Sequence, residues 1–146
     1  MTHLKDKSTL SLQAAHHLIV NSIFAPSVHC SYYSCVQYIL YILSSNYNKT
    51  ELEIYDDFQN WAKTSGKASG GGGYHNFLRN SIYREFYKID KTYASTFNTM
   101  MGNMHGLRVK ADYKNCSIIS EQATEVQESA KAVLSLLKKN FKQKQP

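Results

Sequence analysis

Tyr33, Gln37, His75, Arg79, Arg108, Asp112 and Tyr113 are the residues whose types and spacing best suit binding chemistry. Arg108 and Asp112 stand four apart, so on a helix they can pair along one face. Exposed, such a pair is worth about 0.3–0.5 kcal/mol. Buried against Tyr33 or His75, it would belong to a structural or binding network instead. The spacing by itself favours structural pairing. Tyr33 and Gln37 lie one turn apart in the run Ser31-Tyr32-Tyr33-Ser34-Cys35-Val36-Gln37 and could project polar tips into a groove. Tyrosines in such a run can equally bury their rings and satisfy their hydroxyls locally. Tyr32 reads as core; Tyr33 stays open between the two. His75 opens a helix directly after a glycine run, with Arg79 one turn on. The two could face a phosphate, or His75 could simply cover the helix end.

Other chemistry finds less support. His16 and His17 are adjacent, so they point about 100° apart on a helix and make no two-ligand site. His29 and His105 are isolated in sequence and read as surface or satisfied core residues. Cys30, Cys35 and Cys116 lack CxxC spacing, so reduced thiols are expected and no metal site. The glycine-rich stretch 66–73 follows no strand and precedes no Gly-Lys-Ser/Thr, so it reads as a surface loop rather than a phosphate cradle. No cofactor and no catalytic residue is assigned.

The elements that must position these groups are helices. The first is expected from about Ser8, as N-cap, to Asn21, with Leu10, Ala14 and Leu18 forming a stripe and Ala15 and Ile19 on its flank. Pro26 suits the start of a second helix. There Val28, Tyr32, Val36, Ile39 and Leu43 make one face of what should be the central element. Thr50 and Glu53 have capping-box spacing. They open a short helix with Leu52, Tyr55, Phe58 and Trp61 facing inward, ending near Ser65. A helix from Tyr74 to Tyr87 places Leu78, Ile82, Phe86 and Ile89 on one face. Asp90 can cap the next, where Tyr93, Phe97, Met100, Met104, Leu107 and Ala111 recur at heptad-like spacing. Gly102 and Gly106 weaken that helix or permit close helix contact. The last helix starts at Ser120, with Val126, Ala130, Val133, Leu137 and Phe141 as its stripe. The expectation is an all-α, antiparallel bundle of four long helices and a fifth shorter one, in a single domain over residues 1–146.

Bulk properties agree. The chain has 146 residues, 42% of them hydrophobic and 19% charged, which suits one globular core. The longest apolar-rich run, Cys35 to Leu43, is interrupted by Gln37 and falls short of the roughly 20 residues that span a bilayer. Met1 to Leu12 has no signal-peptide core, so a cytoplasmic protein without membrane contact is expected. The formal net charge of +6 permits attraction to RNA, DNA or an acidic protein. Part of that excess is the lysine-rich end, Lys138, Lys139, Lys142 and Lys144, which reads as a solvated helix terminus.

With these clusters in place, the chain resembles the small stand-alone HEPN domains of bacteria and archaea. Leu12-Gln13-Ala14-Ala15-His16-His17-Leu18-Ile19 is similar to their first helix, and Ser31 to Gln37 to their second. Leu107-Arg108-Val109-Lys110-Ala111-Asp112-Tyr113 is similar to the late Arg-x-x-x-Asp-Tyr signature of one branch, in which a histidine opens the third helix as His75 does here. The segment from Asn46 to Gly73 is longer than that pattern. The resemblance implies a bundle that often forms a homodimer. It also implies a place in toxin–antitoxin, phage-defence or RNA-processing systems, frequently beside a nucleotidyltransferase partner. Active relatives cleave RNA without metal, using an arginine followed four to six residues later by a histidine. Arg79, Arg84 and Arg108 lack that histidine, and Asp112 stands where it would be wanted.

The expectation is therefore a non-catalytic module. It binds RNA, a nucleotide or a partner protein near Tyr33, Gln37, His75, Arg79 and Arg108. The rivals are an RNase toxin using His75 or His105 with Arg108, and a purely structural dimer.

Overall fold

Apolar residues recurring every three to four positions become six α-helices among the described residues of the computed structural model, which describes residues 2–64, 73–114 and 116–142. They are α1 (Thr2–Val20), α2 (Phe24–Tyr47), α3 (Glu51–Thr64), α4 (Tyr74–Ile89), α5 (Lys91–Tyr113) and α6 (Ser120–Asn140). The described residues form no strand. The four long helices expected are α1, α2, α5 and α6; two shorter ones, α3 and α4, join them rather than one. The glycine-rich loop expected over 66–73 falls outside the described residues apart from Gly73, the residue that precedes α4.

Helix α2 is central, touching each of the other five helices. Its burial is nearly all-round: Val28, Tyr32, Cys35, Val36, Ile39, Ile42 and Leu43 are all buried, and so are Ser27, Ser31, Ser34 and Ser44. It begins two residues before Pro26, which occupies its first turn, where a backbone N–H has no intrahelical partner to lose. It ends at Asn48, whose left-handed backbone (φ 51°) directs its N–H to the Ser44 carbonyl.

Helix α1 departs from its expected phase. It starts well before Ser8, and Ser8 is buried mid-helix rather than capping an end. The face turned to α2 carries Leu4, Ser8, Ser11 and Ala15, while Leu10 is 62% exposed. Ser8 Oγ donates to the Ser34 carbonyl at 2.6 Å and Ser11 Oγ to Gln37 Oε1 at 2.8 Å, so a hydroxyl seam fixes α1 on α2. Short polar side chains let these backbones approach closely, and the apolar count alone does not register that.

The other elements follow their patterns with local shifts. Thr50 and Glu53 form the expected capping box: the Glu53 N–H donates to Thr50 Oγ1, and the Thr50 N–H to Glu53 Oε2. The inner face of α3 is Ile54 and Ala62 with half-buried Phe58 and Trp61, whereas Leu52 and Tyr55 turn outward. Phe58 packs on the rings of Tyr74 and Phe77, docking α3 on α4. Leu78, Ile82 and Phe86 are buried as expected, but Ile89, at the last turn of α4, is exposed. Asp90 accepts from the Thr92 N–H at 2.7 Å, capping α5 and reversing the chain within one residue. On α5 the fully buried residues are Ala94, Phe97, Met101 and Met104; Tyr93, Met100, Leu107 and Ala111 flank them. The α6 stripe, Val126 through Phe141, is buried throughout. Phe86 meets Phe97 and Phe141 with ring centroids 5.1 and 4.8 Å apart, tying α4, α5 and the end of α6 together.

Candidate functional site: an arginine–histidine–tyrosine cluster on α2, α4 and α5

Helices α2 and α5 run antiparallel. Consequently, residues four apart on one meet residues four apart on the other, one turn at a time. His29 meets Asp112, and Tyr33 meets Arg108. Helix α4 adds His75 and Arg79 from the side.

Arg108 is the hub. Its Nε lies 2.9 Å from Asp112 Oδ2, and the two side chains are only 11% and 20% exposed. The contact is a charge pair rather than an aligned hydrogen bond, since the Nε–H has no well-directed acceptor. One terminal nitrogen donates to the Tyr33 hydroxyl at 3.2 Å and stands 3.5 Å from that of Tyr113. The guanidinium also sits 5.3 to 5.8 Å from the ring centres of Tyr32, Tyr33 and Tyr113, within cation–π range. So Arg108 is neither a loose surface pair nor a sealed core pair; it belongs to a network.

The histidines gather around it. His29 Nδ1 lies 2.9 Å from the same Asp112 oxygen, and its ring stacks on Tyr33 at 4.3 Å. His75 sits against Tyr32 and Tyr33, its Nδ1 3.3 Å from the Tyr32 hydroxyl. His105 packs on the other side of Tyr32 at 5.8 Å. Burial pushes His75 down to about 4, helped by the positive charge of Arg108 and by His105 and His29. His105 is lowered as well, by burial and then by Arg79 and Arg108. Both imidazoles are therefore neutral at pH 7. Burial raises the Tyr32 hydroxyl to about 12 against the opposing pull of Arg108 and Arg79, so it stays protonated and can donate.

Arg79 completes the cluster. Its guanidinium lies over Gly102 of α5, and its Nε is buried without a hydrogen-bond acceptor. Among the described residues no carboxylate pairs with it. With neutral His75 and His105, the cluster carries two guanidinium charges and the one carboxylate of Asp112, which is paired with Arg108.

Six of the seven residues named from sequence thus converge. Gln37 does not: its oxygen accepts from Ser11, which places it in the α1–α2 seam. Tyr32 and His29, read from sequence as core and isolated, belong to the cluster, and so does His105, named only for the ribonuclease rival. On α5 the spacing carried the signal, since His105, Arg108 and Asp112 step by three and four; on α2 it did not, since His29 and Gln37 both stand four from Tyr33. Cys30, beside His29, has its thiol raised by burial and by Asp112, and Cys35 is buried with its thiol near 12, so neither is an activated nucleophile. Among the described residues no group of three or more histidine, cysteine or carboxylate side chains could hold a metal ion, and no helix is long and apolar enough to cross a membrane. No protein-family model, curated protein or solved structure matches the chain.

Proposed function

We propose that this chain is a HEPN-type module that binds RNA or a nucleotide through phosphate at Arg79 and Arg108, without cleaving it. The observation that carries the reading is the guanidinium of Arg79, whose buried Nε has no acceptor and which no carboxylate of the described residues pairs with, in the cluster that Arg108 anchors. A partly buried cation without a carboxylate partner favours an anionic ligand. Arginine suits phosphate because its fork of N–H donors matches two oxygens at once.

The chemistry argues against cleavage. Metal-independent strand scission needs one group to take the 2′-hydroxyl proton and another to supply a proton to the leaving oxygen. The lowered pKa of His75 and of His105 disfavours the imidazolium that would act as the acid. Asp112 is already engaged by Arg108 and His29.

Titration of fluorescent single-stranded RNA and of mononucleotides against wild type, Arg79→Ala and Arg108→Lys tests the reading. A loss of tenfold or more in Arg79→Ala is expected, with intact RNA recovered afterwards. Affinity unchanged in both variants overturns it. One observation favours a second reading: Asp112 orients the His29 ring, an arrangement used to position an imidazole for proton transfer. RNA cleavage by wild type that His29→Ala abolishes would establish that reading instead.

A further inference from the structure

Next to the cluster, where α2 begins and α5 ends, lies an open depression of about 510 Å³. Ala25, Pro26, His29, Ala111, Asp112 and Tyr113 line it. Its size falls within the range of small-molecule sites. Three features give it a chemical character. First, the Tyr113 ring is 70% exposed, although an aromatic ring gains by being covered. Second, Pro26, Ala25 and Ala111 give it small apolar surfaces against which a flat group can lie. Third, both ion pairs of Asp112 fall on Oδ2. Among the described residues Oδ1 takes no hydrogen bond, so an acceptor stands at the edge of an otherwise apolar recess.

Arg108 stands directly behind two of the lining residues. Its guanidinium touches the Tyr113 hydroxyl and pairs with Asp112, so the recess leads directly onto the cationic cluster. From Tyr113 to Arg108 is five positions, about 7.5 Å of helix rise. An exposed aromatic, a flat apolar wall, an acceptor and then a cation, within that span, match the parts of one nucleotide.

We infer that this depression is a base subsite. It stacks a nucleobase on Tyr113 while the phosphate of the same nucleotide lies at Arg108, and Asp112 Oδ1 accepts from an amino group on the base. The inference rests on the phosphate-binding reading above and adds to it the part of the ligand that the arginines do not explain. Base–aromatic stacking tolerates every base. The discrimination therefore comes from Asp112, in favour of bases that carry an exocyclic amine.

Calorimetric titration with AMP, inosine 5′-monophosphate and ribose 5-phosphate tests it. AMP is expected to bind about tenfold more tightly than ribose 5-phosphate, the scale of one stacked base. Tyr113→Ala, at an exposed position where folding is not at stake, should erase that advantage, bringing the ratio of the two affinities to about one. Inosine 5′-monophosphate should bind more weakly than AMP. Equal affinity of AMP and ribose 5-phosphate, or no effect of Tyr113→Ala, overturns the base subsite while the phosphate reading stands. Equal affinity of AMP and inosine 5′-monophosphate overturns the role of Asp112. Nucleotide binding indifferent to Arg79→Ala but sensitive to Tyr113→Ala overturns the phosphate reading alone. No binding of any of the three overturns both.

Discussion

Asp112 is the joint of the cluster, because one of its oxygens holds Arg108 on its own helix and His29 across the groove. Asp112→Ala removes both contacts and leaves the guanidinium with aromatic partners only. Hydrogen bonds and pairs to charged groups at this depth are worth about 1.5–3 kcal/mol. Urea unfolding should show a loss in that range, and a loss below 0.5 kcal/mol, as for an exposed pair, would mean the network contributes little. His75 sets a pH dependence. In the unfolded chain its imidazole titrates near its ordinary value of 6.5, and in the folded chain near 4. Between those values the unfolded state binds a proton that the folded state refuses. The stability linked to His75 is therefore complete above about 6.5 and is lost as pH falls toward 4. His105 shifts in the same direction and adds to the same trend. Melting temperatures measured across that window should fall more steeply for wild type than for His75→Gln; parallel curves would refute the buried, neutral imidazole. At this scale the sequence was only partly legible. The four-residue step identified Arg108 with Asp112, because that pairing is local. Whether Gln37 or His29 shares their face depends on which side of α2 meets α5 and which meets α1, and no spacing within α2 records that.

Helix α5 shows what periodicity does and does not report. Its apolar positions were legible, yet the fully buried set is shifted onto Ala94 and Met101, because α2, α4 and α6 all pack on it. In α1 the shift has a different cause: the face against α2 is partly hydroxyl, with Ser8 and Ser11 bonded across the seam, while the apolar Leu10 faces water. A stripe read from apolar residues alone falls out of phase there. Capping signals were more faithful, since Thr50 with Glu53 and Asp90 act within a few residues of chain. The two helical glycines of α5 separate cleanly. A β-carbon at Gly102 would meet the Arg79 guanidinium at ordinary van der Waals distance, whereas one at Gly106 would meet nothing. Gly106 therefore permits no close helix contact and only loosens the helix. Gly106→Ala should raise stability by about 0.5–1 kcal/mol, the usual gain from replacing a mid-helix glycine. Thermal unfolding checks it, and destabilisation would reveal a packing role that the backbone does not suggest.

Across the whole molecule, the net charge of +6 is not one binding surface. Lys138 lies over the Tyr38 ring, Lys131 and Lys88 pair with carboxylates three residues away, and Lys49 pairs with Asp57. Lys138 and Lys139 stand in the last turn of α6, where cations are favoured by the helix dipole. The overall positive balance was therefore a weak guide to function: these cations are scattered over several helices and engaged where they stand. The cations offered to a ligand at the cluster are Arg79 and Arg108. This difference is measurable, because each phosphate contact on a single strand contributes about 0.7 to the slope of log affinity against log salt. Two arginines predict a slope near −1.4 for single-stranded RNA by that rule, and Arg79→Ala should reduce it by about 0.7. A slope several times steeper, unchanged in Arg79→Ala but reduced when Lys138 and Lys139 are replaced by glutamine, would place the contact at the end of α6. The assignment of the cluster as the ligand site would then be wrong, even though every helix that builds it stands where its sequence directs.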